Sequence, residues 1–166
     1  MSNVVFLDID GVFNTRTSCV VAPSGQYKGI DASRVGILKK AMDTGGFDGV
    51  VLTTTWKNIR KDNADYIYMT DLLKRHRIQI YGETEDKFLA GREWGILKYL
   101  EDHPEVDDFV IIDDQHYGFR DSSKLWDSYI DTKGRGIENS EYASKTPSVP
   151  AMLFMDGLRK GAYYEV

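Results

Sequence analysis

The chain has 166 residues, 42% of them hydrophobic and 12% aromatic, and a net charge of −5. That is the size of one domain with material for a real core, and the acidic balance argues against a protein that coats long nucleic acid, though not against contact with a strand end or a mononucleotide. Cys19 is the only cysteine, no window is apolar and long enough to span a membrane, and no basic stretch with an apolar run precedes the first strand, so a cytoplasmic protein without disulfides or a secretory leader is expected.

The first element is "NVVFLDI", a short apolar run that predicts a strand buried on both faces. Residues 12–30 lack periodicity and contain Pro23, Gly25 and Gly29, which predicts a long loop or small hairpin. "DASRVGILKKAMDTGG" predicts a helix capped by Asp31 or Ser33, with Val35, Leu38, Ala41 and Met42 on its apolar face and Gly45 at its end. "GVVLT" reads as the second strand, "ADYIYMTDLLKRHR" as the second helix and "IQIYG" as the third strand. "GREWGILKYLEDHP" follows as a helix stopped by Pro104, then "DFVIIDD" as the fourth strand. Beyond Gln115, "LWDSYID" predicts a fifth strand and "PAMLFMDGLRKG" a last helix. Short apolar strands alternating with amphipathic helices imply an α/β fold: a Rossmann-like parallel sheet of about five strands between two helix layers. The expected organisation is one domain over residues 1–166, with 12–30 as a minimal cap and 115–166 as an extension packed on the core.

In such a sheet the strands' carboxyl ends share one edge, and ligands bind outside it. Three strands deliver polar groups there. The first brings Asp8 and Asp10, the second Thr53, Thr54 and Thr55, and the fourth Asp113 and Asp114. Carboxylates that close do not all stay ionised without a cation. Oxygen ligands with no His or Cys set suit a hard ion such as Mg²⁺, whose open positions phosphate oxygens commonly fill.

The order of these motifs resembles the haloacid dehalogenase-like (HAD) phosphatases. "FLDIDGVFN" fits their first motif, "VVLTTTW" their second, Arg92 in "GREWGILKYL" (or its rival Lys87) their third, and "VIIDD" their fourth. The resemblance covers roughly residues 3–115 and is nearest to a small HAD branch linked to nucleic-acid repair. It implies Asp8 as a nucleophile that forms an aspartyl-phosphate, and Asp10 as the acid and base that serves the leaving group and then water. It implies Mg²⁺ held by Asp8, the Asp10 carbonyl and Asp113, with Asp114 bound through water or supporting the others. Thr53, with Thr54 second, would bond a phosphoryl oxygen, and Arg92 would neutralise the phosphate. Gly11 allows the sharp turn, and Lys57 is a further candidate for contact with substrate.

Other readings are weaker. A calcium loop starting at Asp8 would need Gly and Glu where Phe13 and Cys19 stand. A receiver domain would carry its acidic pair after the first strand, not the fourth. Trp56 reads equally as core, His116 as a surface loop residue, and the glycine-flanked Lys133 and Arg135 as part of a plain turn that could also meet phosphate. The short cap suits a bulky phosphorylated substrate, so the expected partner is a nucleotide or nucleic-acid end in preference to a sugar phosphate. The alternative from another class is a catalytically inactive HAD-like binding or accessory module of a repair or phage assembly. The oligomeric state is not legible.

Overall fold

In the computed structural model, residues 2–164 are described, apart from the side chains of residues 161–164. The strands are β1 (Ser2–Leu7), β2 (Gly49–Leu52), β3 (Ile80–Glu83), β4 (Val106–Asp113), β5 (Tyr129–Asp131) and β6 (Glu141–Tyr142). They form one sheet in the order β3-β2-β1-β4-β5-β6. All neighbouring pairs are parallel except β5 with β6. The helices are α1 (Ala32–Gly45), α2 (Ala64–Arg75), α3 (Arg92–Asp102), α4 (Ser123–Asp127) and α5 (Val149–Tyr164). The expected Rossmann-like layering is present.

The central strands explain the two layers. Side chains alternate across a strand, so Val5 and Leu7 of β1 join one core with residues of α1, α2 and α5. Val4 and Phe6 join the other, with Ile96 of α3 and Leu125 of α4. Nothing in β1 after Asn3 is exposed on either face, which is why the run is continuously apolar.

Four local expectations are corrected. The strand predicted over 125–131 divides: the Ser122 hydroxyl accepts the Leu125 N–H at 3.4 Å and starts α4, and only Tyr129–Asp131 is strand. A sixth strand, β6, adds to the edge; two residues are too few to show a period. In α1, Asp31 holds the cap position without a capping bond, because its carboxylate binds the Ser18 hydroxyl and Arg34 instead. Gly46, left-handed at φ 76°, ends that helix one residue later than expected.

Residues 12–30 pass over the carboxyl edge, with one antiparallel bridge, Val21 to Lys28, as their only strand pairing among the described residues. Buried Val12, Phe13, Ala22 and Ile30 fasten this segment to the core. α5 lies along α1 at very short range. A Cβ on Gly157 would stand 2.8 Å from the Ala41 Cα and 3.0 Å from its carbonyl oxygen. Gly157→Leu is therefore expected to lower unfolding free energy by about 1–3 kcal/mol, despite a gain of about 1 kcal/mol in helix propensity, measured by urea denaturation.

Candidate active site

Register builds the site. Leu7 of β1 stands level with Leu52 of β2 and Ile112 of β4. The ladder continues one residue further: Thr53 N–H donates to the Leu7 carbonyl at 2.9 Å, and Asp8 N–H to the Ile112 carbonyl at 3.0 Å. Asp8, Thr53 and Asp113 therefore emerge side by side. Carboxylate oxygens of Asp8, Asp113 and Asp114 lie within 4.8 Å of one another.

Arg92, the first residue of α3, reaches into this cluster. Its Nη1 is 2.7 Å from Asp113 Oδ2 and 3.1 Å from Asp8 Oδ1. Tyr117, in a left-handed conformation at φ 45°, lays its ring 4.8 Å from the guanidinium carbon. Burial lowers the basicity of Arg92, but Asp8 and Asp113 outweigh it and leave the group firmly cationic. One guanidinium does not offset three carboxylates. Burial and then Asp113 push the Asp8 carboxyl well above its ordinary range. Burial also raises Asp113, to about 6, against the opposing pull of Arg92. Burial likewise lifts the Tyr117 hydroxyl to about 12.

The remaining groups complete the floor. Asp10 accepts from Asn14 Nδ2 at 3.0 Å and from Trp56 Nε1 at 3.1 Å, so both its oxygens are held. Gly11 has φ 83°, and a Cβ there would meet Asp114 Oδ2 at 2.5 Å. Both facts require glycine for the turn to close over Asp114. Its N–H donates to Asn14 Oδ1 at 3.0 Å, and its carbonyl accepts from Thr132 Oγ1 at 2.9 Å. Thr53 Oγ1 is buried without a hydrogen-bond partner. An orphaned hydroxyl beside clustered carboxylates fits a site that a cation and an oxygen-rich ligand would complete. The donor set of three carboxylate oxygens suits a hard divalent cation.

The structure thus brings together Asp8, Asp10, Gly11, Thr53, Arg92, Asp113 and Asp114. The other sequence candidates have different partners. The Thr54 hydroxyl accepts the Trp56 N–H, capping the short 3-10 turn Thr55–Asn58. Lys57 is buried and bonds the Thr84 carbonyl at 2.6 Å and Asp86 at 2.7 Å. Lys87 is exposed, with its ammonium 5.4 Å from the Trp94 ring centre. Arg92 and not Lys87 meets the carboxylates. His116 bonds Asp131 at 2.9 Å. Asn14, Tyr117 and Thr132 escaped sequence reasoning. Only Asn14, a buried polar residue closing the apolar "VFN", left a trace there.

The profile of the family described as "HAD domain in Swiss Army Knife RNA repair proteins" matches residues 4–141. The chain belongs to this family. Its membership supports a HAD-type hydrolase and agrees with the nucleic-acid-repair branch that the motifs resembled. Comparison with curated proteins and with solved structures gave no match. Among the described residues no helix is long and apolar enough to cross a membrane.

A carboxyl whose folded-state value lies above its unfolded one destabilises the fold increasingly as pH rises through that value. For Asp113 this occurs between the ordinary carboxylate range and about 6. A cation bound to the ionised cluster removes the penalty. The rise in melting temperature on adding Mg²⁺ should therefore be larger at about pH 7.5 than at about pH 5, where protonation competes. Thermal denaturation with Mg²⁺ and with EDTA at both values checks this.

Proposed function

We propose that the protein is a Mg²⁺-dependent phosphomonoesterase that works through an aspartyl-phosphate and acts on a phosphorylated nucleotide or nucleic-acid end, RNA foremost. The observation that carries this reading is the unpartnered Thr53 hydroxyl level with Asp8 in a cluster of three carboxylates and one guanidinium. The preference for RNA ends rests on the family's description.

Asp8, the Asp10 carbonyl, Asp113 and Asp114 would hold Mg²⁺, which when bound neutralises these carboxylates and the phosphoryl oxygens. An Asp8 carboxylate oxygen attacks phosphorus and the bond to the leaving alkoxide breaks. Arg92 and the Thr53 hydroxyl bind the transferring phosphoryl oxygens, where charge spreads in a loose transition state. Asp10 hands its proton to the leaving alkoxide. It then takes a proton from water as that water attacks phosphorus, releasing phosphate and restoring the Asp8 carboxylate. Asn14 and Trp56 fix the Asp10 carboxylate for both transfers.

Phosphate release with Mg²⁺ and with EDTA, from phosphorylated nucleotides, oligonucleotides and sugar phosphates, tests the reading. Asp8→Asn should abolish release yet fold at least as stably in EDTA, since one of three repelling carboxylates is gone. Unchanged turnover in that variant would sink the mechanism and favour an accessory module. Asp10→Asn should slow turnover about 10²–10⁴-fold, the usual share of acid–base catalysis.

Thr53→Val separates function from structure. Removing an orphaned buried hydroxyl should leave stability unchanged or raise it by up to about 1 kcal/mol. Activity should fall about 10²-fold, as for loss of one oxyanion donor. A purely structural threonine would show intact activity.

A further inference from the structure

Asp10 and Asp114 face a cleft of about 1000 Å³, at the upper end of the range for small-ligand sites. Asp8 and Asp113 do not line it. If Asp10 serves the leaving alkoxide, the part of the substrate that leaves must occupy this cleft. One wall is the 12–30 segment, with Arg16, Tyr27 and Lys28. The other is the turn after β5, with Lys133 and Arg135. That turn is anchored to the catalytic loop, since Thr132 Oγ1 and the Gly136 N–H both donate to the Gly11 carbonyl, at 2.9 and 3.2 Å.

The cleft is basic in a chain that is acidic overall. Among the described residues, neither Arg16 nor Lys28 has a carboxylate partner; the Lys28 ammonium only bonds the Arg16 carbonyl, at 2.9 Å. Lys133 and Arg135 share one carboxylate, Glu141, at 2.6 and 3.8 Å. Arg34 also borders the cleft, but Asp31 and Glu138 neutralise it, so it belongs to the scaffold. Tyr27 adds an exposed aromatic face. Its ring lies 5.3 Å from that of Trp56, whose indole N–H holds Asp10.

We propose that this cleft holds the last two nucleotides of a single strand. Tyr27 stacks on the base of the phosphate-bearing nucleotide, and Arg16 and Lys28, faced by Lys133 and Arg135, bind the internucleotide phosphate behind it. Cations that track a backbone beside an aromatic platform are the general means of holding single strands. The substrate is then an oligonucleotide end and not a free mononucleotide. The inference rests on the phosphomonoesterase reading for which group lies at Asp10.

The test is titration of Asp8→Asn protein in Mg²⁺ with 5′- and 3′-phosphorylated dinucleotides and trinucleotides and with the matching mononucleotides, alongside turnover by the unaltered protein. The phosphorylated dinucleotide should bind about tenfold or more tightly than its mononucleotide. Its affinity should fall more steeply with salt, by about 0.7 in log–log slope for the added phosphate. Arg16→Ala with Lys28→Ala should erase that extra slope. Tyr27→Ala should cut the preference, and Tyr27→Phe should keep it. All three side chains are exposed, so these variants should fold. Equal binding of mononucleotide and dinucleotide, or a preference untouched by the variants, overturns the cleft assignment. Phosphate release without any length preference does so as well, while leaving the phosphatase intact. Length-dependent binding without phosphate release from any substrate would support the cleft and refute the phosphatase instead.

Discussion

Three carboxylates forced to one sheet edge, two of them buried, against a single guanidinium, are the constraint on which the site depends. Asp113 is fully buried and Asp8 nearly so. Transfer of such groups from water is costly unless opposite charge or hydrogen bonds meet them. Arg92 meets two of them, and Gln115 N–H donates to Asp113 Oδ1 at 3.0 Å. Burial still raises both carboxyls, with Asp113 adding to the effect on Asp8. A fold that keeps this arrangement holds an unsatisfied demand for cations, and the Thr53 hydroxyl adds an unsatisfied demand for an acceptor. The apolar strands on both sides compensate: β1, β2 and β4 fill two separate cores, and their burial tolerates a locally unfavourable edge.

That edge is positioned by backbone, not by side chains. The parallel ladder sets Asp8, Thr53 and Asp113 at one level through bonds between main-chain groups. Arg92 enters from the start of α3, where Glu93 ties the Gly91 N–H at 3.2 Å to that of Gly118 at 3.0 Å. The carboxylate of Glu93 thereby joins the helix start to the loop that carries Tyr117. The arginine is held on three sides: by its helix, by the carboxylates it pairs and by the tyrosine ring across its face.

What the sequence revealed follows from what is local. Continuous apolar runs marked β1, β2 and β4, and acidic or hydroxylated residues at their ends marked the edge. Arg92 could be favoured over Lys87 only by assuming that the cation sits at the start of a helix, and the helix does begin at Arg92. The rest depended on contacts between distant segments. Thr132 reaches Gly11 across 121 residues, and Trp56 reaches Asp10 across 46. No periodicity encodes either bond. The "TKGRG" turn read as a plain turn because its residues suit one, yet its position against the Gly11 turn makes it a cleft wall. Lys57 is a candidate because a cation beside a motif suggests substrate, and the fold gives its ammonium to Thr84 and Asp86.

The two aspartates of "LDID" show how one residue type is given two environments. Alternation along β1 would place Asp8 and Asp10 on the same face, but the strand ends at Leu7 and the chain turns through Gly11. Asp8 stays with the ladder, 3% exposed and within reach of Arg92. Asp10 passes onto the cleft floor, where an amide and an indole N–H hold it and solvent still reaches it. In the proposed reaction the first setting would suit the nucleophile, since few waters compete for its oxygens. The second would suit the group that, in the same proposal, exchanges protons with a leaving alcohol and with water. Gly11 makes the turn between them possible: a side chain at that position would collide with Asp114 and strain the left-handed conformation the turn requires.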